Sequence, residues 1–79
     1  MAVYTYDADA DVLYILLAQE QEAAIDRTEE LGSNLHVDLD PDGNIVGIEL
    51  LYPRTHGLDI GSVRERYGID LQIPFRFAA

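Results

Sequence analysis

Three groups of side chains have the types and spacing that chemistry needs. In "DLDPDGNIVGIE" (38–49), Asp38, Asp40 and Asp42 occupy positions one, three and five of a calcium loop, Gly43 its turn and Glu49 its closing position. Such a set would offer hard oxygen ligands to Ca²⁺. In "YDADADVLY", Asp7, Asp9 and Asp11 alternate, which on an extended chain would put three carboxylates on one side for metal or acid–base work. Ser62, His56 and Asp59 supply the residue types of a nucleophile, base and orienting acid.

What these residues can do depends on the elements that carry them. Leu35, Val37 and Leu39 alternate with His36, Asp38 and Asp40, while Val46, Ile48 and Leu50 alternate with Gly47 and Glu49. Period two on both sides predicts two half-buried strands, whereas a calcium loop of this pattern needs a helix on each side. Facing the apolar sets pairs Leu39 with Val46, Val37 with Ile48 and Leu35 with Leu50, and His36 with Glu49 across the ladder. That register leaves 41–44 as a four-residue turn, with Pro41 setting φ and Gly43 or Asn44 taking a positive φ. The hairpin displaces the calcium loop, so no metal is expected, and Asp38, Asp40, Asp42 and Glu49 remain only as the candidates the pattern nominates.

Asp7, Asp9 and Asp11 read as a solvated turn between strands at 3–6 and 12–17, since Asp favours turns. A catalytic carboxylate pair needs surroundings that drive its two pKa values apart, and nothing apolar encloses these. Asp59 and Ser62 suit capping and turn roles at a helix start better than a triad. There is no glycine-rich phosphate cradle, redox pair or zinc spacing. No catalytic residue, cofactor or enzymatic activity is expected.

Two other stretches bear on packing. Residues 12–17, "VLYILL", are apolar on both faces, as in a strand covered on both sides. In "LDIGSVRERYG", Asp59 is the expected N-cap, Ile60, Val63 and Tyr67 form one stripe, and Gly68 supplies the stop. Ile69, Leu71, Ile73, Phe75 and Phe77 then alternate in the tail, while Pro74 confines that strand to an edge. One short helix cannot cover both faces of the sheet. A homodimer or higher homo-oligomer is therefore expected, with Val12, Tyr14, Leu16, Ile69, Leu71, Ile73, Phe75 and Phe77 as its interface.

Bulk properties narrow the partners. With 79 residues the chain is one domain, of a size that buries only about 60% of its unfolded surface. It has no cysteine to reinforce it, and 48% hydrophobic residues, enough for a core. Fifteen acidic residues against five arginines give a net charge of −10. That field repels nucleic acid and anionic membranes and steers a basic protein inward. No export signal or membrane-length apolar run is visible, and a soluble cytoplasmic protein is expected.

Tyr6, Asp7, Asp11, Leu13, Tyr14 and Ile15 match Y-D-x-x-x-D-x-L-Y-I. Asp38, Asp40, Gly43, Ile45, Val46, Gly47, Ile48, Glu49 and Leu50 match D-x-D-x-x-G-x-I/V-V-G-I-E-I/L. In both the chain resembles an uncharacterised, mostly bacterial family, domain of unknown function 2283, over residues 3–52. The resemblance implies a β-meander in which 23–30, despite its helical composition, is a strand. It transfers no catalytic residue. Some members look like acidic partners of small toxin-like proteins, which implies an antitoxin-like interaction role. The expected fold is α+β: an antiparallel β-meander of about five strands, one short C-terminal helix and a terminal edge strand, with 58–79 outside the resemblance.

Overall fold

The computed structural model describes residues 2–17, 25–71 and 73. Five strands, β1 (Val3–Asp7), β2 (Val12–Leu16), β3 (Arg27–Gly32), β4 (Leu35–Leu39) and β5 (Ile45–Leu51), precede a one-turn helix α1 (Pro53–His56) and a longer α2 (Gly61–Tyr67). All pairings are antiparallel, in the order β1-β2-β5-β4-β3. β3, β4 and β5 form a meander, and the β1–β2 hairpin joins it along β5, which becomes the central strand.

Alternation sends one set of side chains from every strand to each face. Leu13 and Ile15 of β2, Leu35, Val37 and Leu39 of β4, and Ile48 and Leu50 of β5 form a buried cluster with Ile60 and Val63. The helix side is thus closed by the predicted stripe, Ile60 at 6% exposure and Val63 at 0%. Gly68 ends α2 at φ 68°. Tyr67 donates its hydroxyl to Glu29 Oε2 at 3.2 Å, and Arg66 approaches the same oxygen at 3.5 Å, which ties the C-terminal turn of α2 to β3.

Local chemistry shapes the turns. Asp7 Oδ1 accepts the N–H groups of Asp9 and Ala10 at 3.0 and 3.1 Å, and Asp40 Oδ1 accepts those of Asp42 and Asn44 at 3.0 and 2.8 Å. Gly43 carries the positive φ of the second turn, 86°. Asp11 and Tyr52 also lie in the left-handed region, at φ 55° and 57°, joined by a bond from Tyr52 N–H to the Asp11 carbonyl at 2.7 Å.

Several expectations need correction. Val37 pairs with Ile48 and Leu35 with Leu50 as predicted, but Leu39 pairs with Ile45 rather than Val46. A bulge there absorbs the extra residue, and Val46 is still buried at 4% exposure. The middle strand starts at Arg27, with 23 and 24 outside the described residues. Ile60, not Asp59, is the N-cap of α2, and Asp59 Oδ1 instead accepts the Gly61 N–H at 2.9 Å. Pro53 opens the one-turn helix α1 at its first position. Residues 69–71 and 73 are irregular, and Ile69, Leu71 and Ile73 pack against the chain's own core. Phe75 and Phe77 lie outside the described residues.

Candidate interaction face

The sheet face opposite α2 holds the side chains that the core does not use. Three ladders cross it. Val3, Leu16, Gly47, Asp38 and Thr28 form one, Thr5, Tyr14, Glu49, His36 and Glu30 the next, and Asp7, Val12 and Leu51 the third. Val12, Tyr14, Leu16 and Leu51 are half-buried and Val3 is 54% exposed.

Tyr14 breaks out of its ladder. Its hydroxyl donates to Asp38 Oδ2 at 2.8 Å, reaching from β2 across β5 to β4. Gly47 makes the crossing possible, because a Cβ at that position would coincide with the Tyr14 phenol. Thr28 of β3 donates to the other oxygen, Asp38 Oδ1, at 2.5 Å. One carboxylate therefore gathers hydroxyls from two other strands. Burial, reinforced by the hydrogen bond to Asp38, pushes the Tyr14 phenol well above its ordinary pKa, so it remains a donor.

Beside this bridge, His36 stands between two glutamates. Its Nδ1 lies 3.1 Å from Glu49 Oε1, the predicted cross-strand pair, and its Nε2 lies 3.6 Å from Glu30 Oε2. Glu30 was missed because its alignment with His36 depends on where β3 pairs with β4. The bond from Tyr14 to Asp38 depends in the same way on strand order. One signal was present: a glycine within the alternating run 46–50 marks a place where something approaches the backbone closely.

The carboxylates nominated for metal are dispersed among structural tasks. Asp38 serves Tyr14 and Thr28, Asp40 its own turn, and Glu49 the imidazole, while Asp42 is exposed in the turn. The flanks of 38–49 are β4 and β5, not helices. Among the described residues no group of three or more His, Cys, Asp or Glu is placed to hold a metal ion. In the first acidic run, Asp7 caps a turn and Asp11 Oδ1 accepts the Tyr6 hydroxyl at 2.7 Å. Asp59 is held by Gly61, while the His56 ring sits 6.4 Å from that of Tyr52.

Of the expected interface residues, Val12, Tyr14 and Leu16 share this face, whereas Ile69, Leu71 and Ile73 lie against the helix-side core. The tyrosines are divided between the two faces. Tyr4 and Tyr6 pack with the core, Tyr14 faces the opposite way, and Tyr52 is 50% exposed. An open cavity of about 410 Å³ lies elsewhere, lined by Leu58, Asp59, Ile60, Gly61, Arg64, Leu71 and Ile73.

Asp7, Asp11, Asp40 and Gly43 of the turns, and Tyr14, Asp38, Gly47 and Glu49 of this face, belong to the two motifs. Residues 4–52, more than half of the chain, match the model described as protein of unknown function, DUF2283. The chain belongs to that family. The matched segment contains all five strands apart from Val3 and ends at Tyr52, so α2 and the cavity beside it lie beyond it. No curated protein and no solved structure matches the chain. Among the described residues no helix is long and apolar enough to cross a membrane.

Proposed function

We propose that the chain is a non-enzymatic protein-interaction module of the cytoplasm, an antitoxin-like acidic partner for a basic protein. The observation that carries this reading is the confinement of the described arginines to one side of the sheet. Each of the four described arginines lies on the helix side and has a partner there. Arg27 meets Asp26 and Glu29, Arg66 meets Glu29, Arg64 meets Asp70, and Arg54 lies over the Tyr6 ring at 5.6 Å. The opposite face carries Asp7, Asp38, Glu49 and Glu30 among its ladder positions and no arginine. An acidic face beside half-exposed aliphatic side chains favours a basic protein and disfavours nucleic acid.

A pull-down from native cells with the full chain tests the reading. A basic protein retained at low salt and released at high salt is the expected result. Recovery of only salt-insensitive partners, or of none, would overturn it. Self-association is a second reading, favoured by the half-exposed Val12, Tyr14 and Leu16. Sedimentation at micromolar concentration checks it, with a dimer expected under this reading and a monomer across the dilution range against it.

A further inference from the structure

We infer that the face opposite α2 receives a basic amphipathic helix of another protein. The helix lies along the strands, its aliphatic stripe on β2 and its arginines or lysines over Glu49 and Glu30. The inference rests on the partner reading above and adds the form of the partner and its footprint.

The two chemistries of this face lie side by side. Val3, Val12, Tyr14, Leu16 and Leu51 occupy the β1–β2 half and the adjoining end of β5, while Glu49, His36, Asp38 and Glu30 run across β5, β4 and β3. From β2 to β4 is two strand spacings, about 10 Å. A helix with its side chains is about 10–12 Å across, and its apolar stripe borders a polar flank along its length. One helix laid along β2 and β5 can therefore seat leucines on Val12 and Leu16 and turn its basic flank to the glutamates. An extended segment running along the strands turns only one row of side chains to the sheet, so it cannot cover both halves at once.

The available carboxylates are specific. Both Asp38 oxygens already accept hydroxyls, from Tyr14 and Thr28. Glu49 and Glu30 have side chains 40% and 71% exposed, and His36 stands between them. Both are open to solvent, and His36 holds Glu49 at 3.1 Å.

A second copy is the poorer occupant. Stacking two of these faces about a two-fold axis along the strands sets the acidic half of one on the aliphatic half of the other. An axis across the strands sets Glu49 and Glu30 opposite their own counterparts. Desolvating a charge against aliphatic side chains, or opposing like charges, is unfavourable.

The test uses the full chain, methyl-labelled for NMR, and two synthetic helical peptides: one of leucine and arginine, the other with glutamate replacing arginine. The arginine peptide should bind and shift the methyl signals of Val3, Val12, Leu16 and Leu51. Those of Leu13, Ile15, Val37 and Ile48 should move much less. The glutamate peptide should not bind. Glu30→Gln with Glu49→Gln should weaken binding by about tenfold and flatten its salt dependence, since rim charges act through long-range attraction. Both side chains are exposed, so an unchanged methyl spectrum of the free variant verifies that its fold is retained.

Shifts confined to Val63, Leu58 and Ile60 would overturn the footprint while leaving the partner reading intact. Equal binding of both peptides, or an unchanged affinity in the double variant, would overturn the role of the glutamates. Binding of neither peptide would overturn the helical occupant, even where the native pull-down still recovers a salt-sensitive basic protein.

Discussion

The two faces of the sheet are made by the same strands in the same register, and they are stabilised in different ways. On the helix side, Leu13, Ile15, Val37, Ile48 and Leu50 are each 0% exposed beneath Ile60 and Val63. On the other side, a tyrosine crosses a glycine to an aspartate, and a histidine lies between two glutamates. Burial is non-directional, so the first face depends on volume. Hydrogen bonds are directional, so the second depends on particular partners. The difference predicts a graded series of substitutions.

The largest effect belongs to the closed face. Ile48→Ala, in the central strand, should lower unfolding stability by about 2–5 kcal/mol in urea denaturation, from lost burial and the cavity left behind. A loss below about 1 kcal/mol would mean that the core relaxes around the change.

Next is Gly47→Ala. A methyl group there occupies the place of the Tyr14 phenol, so a loss of about 2 kcal/mol is expected from crowding and the displaced hydroxyl. Combined with Tyr14→Ala, the cost should be clearly less than additive, because the second change removes what the first one strikes. Additive losses would locate the cost of Gly47→Ala in the backbone instead.

Tyr14→Phe should cost about 1 kcal/mol, the net value of one hydrogen bond. It should also change the alkaline limb of the stability curve. Burial and then the Asp38 bond raise the Tyr14 pKa in the folded chain. The folded state thus holds this proton more tightly than the unfolded one. That contribution is complete below about pH 10 and is lost as pH rises from there towards the raised value. Denaturation of the parent and the variant at rising pH checks it: the gap between them should narrow above about pH 10. A constant gap would remove Tyr14 as its source.

The smallest effect is His36→Gln, which should cost about 0.5 kcal/mol or less, in keeping with a partly exposed cross-strand pair. A loss comparable to that of Ile48→Ala would show that this face contributes to the core rather than standing apart from it.

How much of this the sequence revealed follows from the range of each interaction. The β4–β5 hairpin was legible because alternation and turn chemistry act between neighbours in the chain. Val37 meets Ile48, His36 meets Glu49, and Gly43 has its positive φ. The exception, Leu39 with Ile45, comes from a bulge, which alternation cannot register. The stripe on α2 was legible from period 3.6. The bond from Tyr14 to Asp38 was not, because it requires β5 to lie between β2 and β4, and order within a sheet is a property of the whole chain. The tail misled for a related reason. Alternating apolar residues suit an edge strand, but Ile69, Leu71 and Ile73 pack against the core as irregular chain.

The placement of β5 also bears on how the chain acquires its shape. The last of the five described strands to be made is the one through which the others are joined, with β2 on one side and β4 on the other. Until Leu51 has been synthesised, β1–β2 and β3–β4 are two hairpins with no strand between them, and a lone hairpin is only marginally stable in water. The nascent chain therefore gains little from folding early. Arrival of the central strand lets both hairpins settle together, so the sheet should form in one late cooperative step rather than strand by strand.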